Sequence, residues 1–554
     1  MKRAIFSLFF LLSVTAIFCG WNPNNTNVTT AEADHRCRSA ILASNHSGYG
    51  VATWGYYDSV NDEFYVQASI TNNFGMNWST ATKIDPLNFA IGANANTRPR
   101  VAIDNDNHAI IIWHRYVDAT GNYEVRVTPY GASAQKITLL DTSPTSDPTR
   151  PEIAMNNLGN AIAIWSYGDI SSNYFIKTAY SSDYGKTWST PFMFNPQRPS
   201  TDWVFPQIIM DDVGHAFAVW EEEIGYVHYV RYAISTDFGH TWSTPSTIDG
   251  STYSRTNAFS KIAWNSSGNT IITWQIRDTS NQYFTKVAYS SDWGATWSAA
   301  TTLDPLNPAL DWTNPEITMD DTGRAIITWQ AALAGPYDIQ TVYSFDYGKT
   351  WSPVTTLDLA SDDWSFPKVA MDKTGNAIIV WNFRHSGGGN IWDIKAATSS
   401  DYGKNWAITT LAPNVETITA GAPRVEITMD PYGNVNATNG LAIWANASAG
   451  ASSVDMNHYQ IITLSVSGQK DTIRSFLQEE LRNKITAAAI GQMGTYNLYT
   501  DPGLTQLIDS VRNDTQMAEL LEHRIKSKDI KTYFVTWTDD FGNRTGPVQI
   551  TIRD

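Results

Sequence analysis

Ser235-Thr236-Asp237-Phe238-Gly239-His240-Thr241-Trp242 recurs along the chain with its Ser, Asp, Gly and Trp in place. Strict copies are centred on Asp183, Asp237, Asp292, Asp346 and Asp401, at intervals of 54, 55, 54 and 55 residues. A chain that repeats itself at this interval is an array of small units, each adding to one closed body instead of forming its own core. The fold is therefore read from the unit.

Short runs of strand-forming residues precede the octapeptide, such as Tyr229 to Ile234 and Tyr283 to Ala288, and another short extended segment follows it. Two strands joined through the Asp-Gly turn are the natural reading. A second recurrent segment opens the unit: Pro151 to Trp165, Pro315 to Trp329 and Pro367 to Trp381 each hold an alternating strand, a turn with Gly, and a hydrophobic strand closed by Trp. One unit thus supplies four antiparallel strands, the blade of a β-propeller. The closing residues Trp54, Trp113, Trp165, Trp220, Trp274, Trp329, Trp381 and Trp444 predict eight blades, with seven plus an atypical terminal unit as the alternative. Asn73 and Asp183 are 110 residues apart, and a degraded turn at Tyr130-Gly131 fills the missing place.

The expected class is all-β, with the propeller over 37–466. Phe476, Leu477, Leu481 and Ile485, then Met517, Leu520, Leu521 and Ile525, read as apolar helical stripes. They predict a helical insertion or subdomain over 471–529, a possible surface for a protein partner. Strand-like sequence over 531–554 is expected to close or cap the ring.

Met1-Lys2-Arg3 and the apolar run from Ala4 to Phe18 read as a secretory signal over 1–20 and place the protein outside the cell or at its surface. Cleavage falls near Cys19-Gly20 or after Ala31-Glu32-Ala33, and lipidation of Cys19 would anchor the chain. No later segment is apolar enough to span a membrane. With only Cys19 and Cys37, the chain is neither a disulfide scaffold nor a cysteine metal site. The net charge of -16 becomes -16 - 2 = -18 without Lys2 and Arg3, which disfavours nucleic acid and anionic membrane as partners. No metal-ligand spacing, phosphate loop or dinucleotide fingerprint is present, and neither cofactor nor metal is expected.

The octapeptide resembles the Asp-box, or BNR repeat, of sialidases and related secreted β-propellers. The resemblance covers approximately residues 37 to 446, and five strict copies occur in phase. The first copy, Thr71 to Trp78, replaces both Ser and Asp, leaving Asn73 at the Asp position. In each turn the Asp accepts hydrogen bonds from nearby amides, the Gly takes a backbone region awkward for other residues, and the Trp covers the blade edge. Asn73, Asp183, Asp237, Asp292, Asp346 and Asp401 are accordingly structural.

In a four-stranded antiparallel blade, the Asp turn and the Met-Asp-x-x-Gly turn emerge at one end. The loops after each closing Trp and the interblade links emerge at the other, where a ligand is expected. That face carries Arg98, Arg150, Arg255, Arg277 and Arg384, and three Asp-Trp pairs ending in Trp203, Trp312 and Trp364, each with Pro at the third position after Trp. A sugar ring packs its apolar face on indole while neighbouring polar groups bind its hydroxyls. The competing reading is that each Trp closes the joint between blades. Glu221, Glu222 and Glu223 are either a solvated acidic loop or weak catalytic candidates, since clustered carboxylates raise one another's pKa.

The resemblance implies an arginine cluster, a Tyr-Glu nucleophile pair, an acidic general acid/base and an Arg-Ile-Pro motif. The chain has no Arg-Ile-Pro; Thr97-Arg98-Pro99-Arg100 and Thr149-Arg150-Pro151 are partial echoes. The expectation is a secreted carbohydrate-binding or adhesion-type propeller whose partner is a glycan or glycoprotein. The alternatives are a sialidase-like glycoside hydrolase and a structural or protein-interaction scaffold.

Overall fold

The protein is described by a computed structural model that covers most of residues 40–429, with 86–98, 249–257 and 417–424 the longest stretches outside it, and strands within 12–39 and 438–552. The chain divides into two compact units, one of residues 26–432 and 441–456, the other of 1–25, 433–440 and 457–554.

The first unit holds seven four-stranded antiparallel sheets, each with its strands in chain order. Their first strands are His35–Ser44, Arg100–Ile103, Glu152–Met155, Gln207–Met210, Lys261–Trp264, Glu316–Met319 and Lys368–Met371, which open blades 1 to 7. These strands lie side by side around a central channel, and Val425–Met429 takes the place between blades 7 and 1. The architecture is thus an all-β propeller with seven complete blades.

The expected eighth blade does not form as a free-standing four-stranded sheet. Val425–Met429 instead joins Thr438–Ser448, which carries Trp444, and Ala451–Gly468 in a larger sheet. No strict Ser-x-Asp-x-Gly-x-x-Trp turn follows Trp444; its nearest echo, Asp540-Phe541-Gly542, comes only after Lys531–Asp539, a strand that pairs antiparallel with Val548–Ile552.

Second strands are buried along almost their whole length because both of their faces meet another blade. In blade 2, Ile110 and Ile112 pack with Ala161, Ala163 and Trp165 of blade 3. Ala109, Ile111 and Trp113 on the opposite face pack with Val51, Val66 and Ala68 of blade 1. A strand covered on both faces reads as a continuous apolar run, which is what Ala-Ile-Ile-Ile-Trp is. The closing Trp of every complete blade sits in such a strand, and none of the seven is more than 4% exposed.

Each seam also carries a polar clasp where the sequence provides one. Asp141, in the fourth strand of blade 2, accepts hydrogen bonds from Trp165 Nε1 at 2.9 Å and Lys177 Nζ at 2.9 Å in blade 3. Asp358 in blade 6 does the same for Trp381 Nε1 and Lys395 Nζ in blade 7, both at 2.9 Å.

The Asp-box turns behave as expected. In blade 6, Asp346 Oδ1 accepts from Thr350 N at 2.9 Å and Ser344 Oγ at 2.9 Å, while Ser344 Oγ accepts from Gly348 N at 3.0 Å. Burial pushes the Asp346 pKa up, but the hydroxyl and amide of Thr350 and the Ser344 hydroxyl outweigh it and hold the group below its ordinary value. Gly348 has φ 78°, and a Cβ there would lie 2.9 Å from Ile271 of blade 5, so the glycine serves both the turn and the seam. The degraded copy keeps this conformation at Gly131, with φ 90°.

In the second unit, Leu12–Trp21 pairs antiparallel with Tyr459 to Gly468, and Lys531–Asp539 lies between Val548–Ile552 and Gly494–Tyr499. Gly494–Tyr499 and Leu507–Val511 pair with each other inside the segment expected to be helical. That expectation is corrected there: Gly-Thr-Tyr-Asn-Leu-Tyr alternates and is rich in residues that favour strands. No helix occurs among the described residues, and the stripes at 476–485 and 517–525 lie outside them.

Candidate functional site

In blades 2 to 7 the first residue of the inner strand sits at one level of the channel because register repeats with the blade. Arg100 faces Ile112, Glu152 faces Ile164, Lys261 faces Thr273, Glu316 faces Thr328 and Lys368 faces Val380, in every case the residue before the closing Trp. Their charges alternate around the axis. Arg100 Nε lies 2.8 Å from Glu152 Oε1, Glu316 Oε1 lies 3.4 Å from Lys261 Nζ and 2.7 Å from Lys368 Nζ, and Lys368 Nζ lies 3.6 Å from Glu426 Oε1.

The first three of these pairs each join two neighbouring blades, and the last joins blade 7 to the strand Val425–Met429. Burial opposes the charge of Glu316, yet Lys261 and Lys368 hold its carboxyl below the usual glutamate range. Burial likewise opposes the charges on Lys368 and Arg100, and here Glu316 and Glu152 respectively, each followed by Glu426, hold both pKa values up. A belt of mutually neutralised charge therefore floors the channel mouth.

Above the belt is a cavity of about 210 Å³ whose lining includes Arg150, Phe205, Phe259, Trp312, Asn314 and Phe366. Arg150 Cζ stands 4.0 Å over the Phe205 ring. Phe205 and Phe259 meet edge to face at 4.9 Å, and Phe259 and Trp312 at 5.6 Å, which makes a continuous aromatic arc.

The rim is held from beneath by the residue that follows each closing Trp. Glu221 Oε1 accepts from Phe259 N at 2.7 Å, Gln275 Oε1 from Thr313 N at 2.8 Å, and Asn382 Oδ1 from Phe366 N at 2.9 Å. Gln330 Nε2 donates to the Trp312 carbonyl at 2.6 Å. All four side chains are fully buried. They also fix unusual backbone, since φ is 44° at Phe259 and 43° at Asn314.

Of the expected ligand-facing residues, the structure brings Arg150 and Trp312 into this cavity. Trp312 combines both sequence readings: it packs against the buried seam between blades 5 and 6 and also lines the mouth. Its neighbour Asp311 is anchored by Tyr337 Oη at 2.6 Å. Arg277 and Arg384 do not join them, for each stacks on its own hairpin, over Tyr283 at 5.4 Å and over Trp392 at 5.6 Å. Arg98, Trp203, Arg255 and Trp364 lie outside the described residues, as does Asn73.

Glu221, Glu222 and Glu223 correct the solvated-loop expectation. They belong to the strand Ala216–Ile224 and are 0%, 4% and 7% exposed. The run is an extension of the second strand past its Trp, so the side chains alternate in direction: Glu222 pairs with Arg231, while Glu221 caps the Phe259 amide.

The phenylalanines and the charged belt escaped the sequence reading. A periodic signal existed for both. Phe205 and Phe366 occupy the same place before Pro as Arg150 and Asn314, and a charged belt residue follows three of those four prolines, at Glu152, Glu316 and Lys368.

The opposite mouth, a cavity of about 470 Å³, is lined by the first turns, with Asn156, Asp211, Asn265 and Asp320 among them. Their side chains serve the turns: Asp211 Oδ1 accepts from His215 N at 2.8 Å. The Asp-box turns emerge at this end, as Tyr347 N bonded to Gly323 O at 2.9 Å shows. Among the described residues, no group of three or more His, Cys, Asp or Glu is placed to hold a metal ion, and no helix is long and apolar enough to cross a membrane.

Residues 342–353 match the BNR/Asp-box repeat model. No curated protein matches the chain. Solved structures similar to it include a protein of unknown function from Dyadobacter fermentans DSM 18053, at 12% identity over 80% of this chain and 98% of that one, TM-score 0.40. Another is the NanB sialidase of Streptococcus pneumoniae, at 11% identity over 66% and 67%, TM-score 0.38. A third is an ulvan lyase of polysaccharide lyase family PL25, at 12% identity over 78% and 95%, TM-score 0.43.

Proposed function

We propose that the chain is a carbohydrate-binding propeller that holds its ligand at the channel mouth without turning it over. The observation that carries this reading is the arc Arg150, Phe205, Phe259 and Trp312 around one small cavity. Aromatic faces bind the C–H face of a sugar ring, and polar groups at their edge take its hydroxyls. At about 210 Å³ the cavity is smaller than the ~300–1,000 Å³ of pockets that enclose drug-sized ligands, so it suits the end of a glycan and not an enclosed chain.

Turnover by a pair of carboxylates needs one of them raised in pKa to act as an acid. Glu316 is driven the other way by Lys261 and Lys368. No tyrosine lines the cavity among the described residues, and only Arg100 and Arg150 of the described arginines do. These features support binding over a sialidase-like reaction.

The test is binding of the purified chain to a broad glycan panel, with sugar release from sialosides and neutral glycosides measured beside it. Phe259→Ala is expected to lower affinity about tenfold or more, the scale of one lost aromatic contact, without loss of fold. Absence of binding across acidic and neutral glycans counts against the proposal, and sugar release counts for the hydrolase.

We further propose export through residues 1–20. The mass of the mature protein from its native host checks this. A chain retaining Met1 to Gly20 would overturn it.

A further inference from the structure

We infer that the sector of the mouth between blades 5 and 6 takes one ring of an uncharged sugar, with Ser260 and Asn314 as its hydrogen-bonding partners. This rests on the carbohydrate reading above and narrows it to a ligand class.

Three observations converge on that sector. Phe259 and Trp312 meet there edge to face at 5.6 Å, leaving an apolar surface on which a ring can lie. Ser260 and Asn314, one residue after Phe259 and two after Trp312, line the same cavity. Among the described residues, Ser260 Oγ and Asn314 Nδ2 have no hydrogen-bond partner, although Ser260 is only 2% exposed. Buried polar atoms in folded proteins are nearly always satisfied, so an orphan pair in a cavity wall marks where a ligand supplies the partner. A serine hydroxyl both donates and accepts, and an amide nitrogen donates, which together match neighbouring sugar hydroxyls.

The charge state of the mouth selects against an acidic ring. Lys261, which follows Ser260, is committed to Glu316 at 3.4 Å, and Lys368 to the same carboxylate at 2.7 Å. Arg100 is bound to Glu152 at 2.8 Å, and Arg150 lies over Phe205 at 4.0 Å. A carboxylate or sulfate approaching Lys261, Lys368 or Arg100 would compete with an ion pair already made and would meet Glu316 or Glu152 beside it. A neutral ring displaces no ion pair and satisfies two atoms that otherwise have no partner.

The experiment is titration of the full chain with glycans ending in neutral hexoses or pentoses and with matched glycans ending in a uronate, a sialate or a sulfated sugar. Ser260→Ala and Asn314→Gly are compared with the parent; glycine suits the φ of 43° at position 314. Binding is expected with neutral ends, and each variant should weaken it about five- to tenfold, the effect of one hydrogen bond. The Ser260→Ala melting temperature should hold or rise, since a structural hydroxyl would lower it and a ligand-facing one does not. Binding confined to acidic ends but lost in Phe259→Ala overturns this inference while leaving the carbohydrate reading intact. Neutral binding that is unchanged in both variants also overturns it. No glycan binding at all overturns the reading itself.

Discussion

Trp381→Ala is expected to destabilise the protein by about 3–5 kcal/mol, the range for removing a large aromatic side chain from a packed core. Trp381 is fully buried and belongs to the seam of Ile326, Ile339 and Leu357 from blade 6 with Ala377, Ile379 and Ala397 from blade 7. Two losses add in this variant. The indole volume leaves a cavity between two sheets that cannot close onto it, since each is also held by its other neighbour. The Nε1 bond to Asp358 at 2.9 Å goes as well, leaving that carboxylate to Lys395 on this side of the seam. Trp381→Phe separates the two, because it keeps most of the bulk and loses the bond, and should cost about 1–2 kcal/mol. Urea unfolding measures both. A loss below 1 kcal/mol in the alanine variant would show that the seams do not carry the stability of the ring.

The seam was legible in the sequence because it repeats. The closing Trp, the apolar second strand and the Asp turn each recur at the blade period, and the structure puts the seven closing Trp residues from Trp54 to Trp381 and the five strict Asp turns where that period says. What could not be read was how the period ends. Trp444 continues the count of closing tryptophans, but no strict Asp turn comes at the blade period after it, and its nearest echo, Asp540-Phe541-Gly542, is separated from it by a long insertion.

The site was half legible for a related reason. Arg150 is legible as an arginine in an interblade link and Trp312 as one of three recurrent Asp-Trp pairs on the expected face, whereas Phe259, Glu316 and Lys368 are spread over three blades and are neighbours only around the axis. They stand 57 and 52 residues apart, close to one repeat each, so their contact appears only when the sequence is stacked by blade. A run of three acids reads as solvated surface, yet Glu221 is fully buried. Its burial comes from the neighbouring blade's Phe259 amide, to which it is bonded at 2.7 Å.

Glu316→Gln is expected to cost about 2–3 kcal/mol at neutral pH and, more tellingly, to remove an acid-sensitive part of the stability. The substitution keeps the side-chain shape but leaves Lys261 and Lys368 facing a neutral group. The full penalty of a broken buried pair is reduced here because the partners are 18–25% exposed and water screens them in part. The sign of the pH effect follows from the direction of each shift. Glu316 is depressed in the folded state, so its contribution is present above the ordinary glutamate value of 4.5 and is lost as pH falls through the folded pKa. Lys368 is raised, so its contribution is present below 10.5 and is lost as pH rises through its folded pKa. The difference in unfolding free energy between the parent and Glu316→Gln should therefore be flat from about pH 5 to 9 and shrink towards acid. Asp183, Asp237, Asp292, Asp346 and Asp401 also have depressed pKa values and also destabilise the parent in acid, but they are common to both proteins and cancel in the difference. Parallel pH curves for the two proteins would mean that the belt contributes packing but no charge pairing. A difference that grows towards acid would contradict the ionised state assigned to Glu316, and with it the ground for preferring binding over turnover at this mouth.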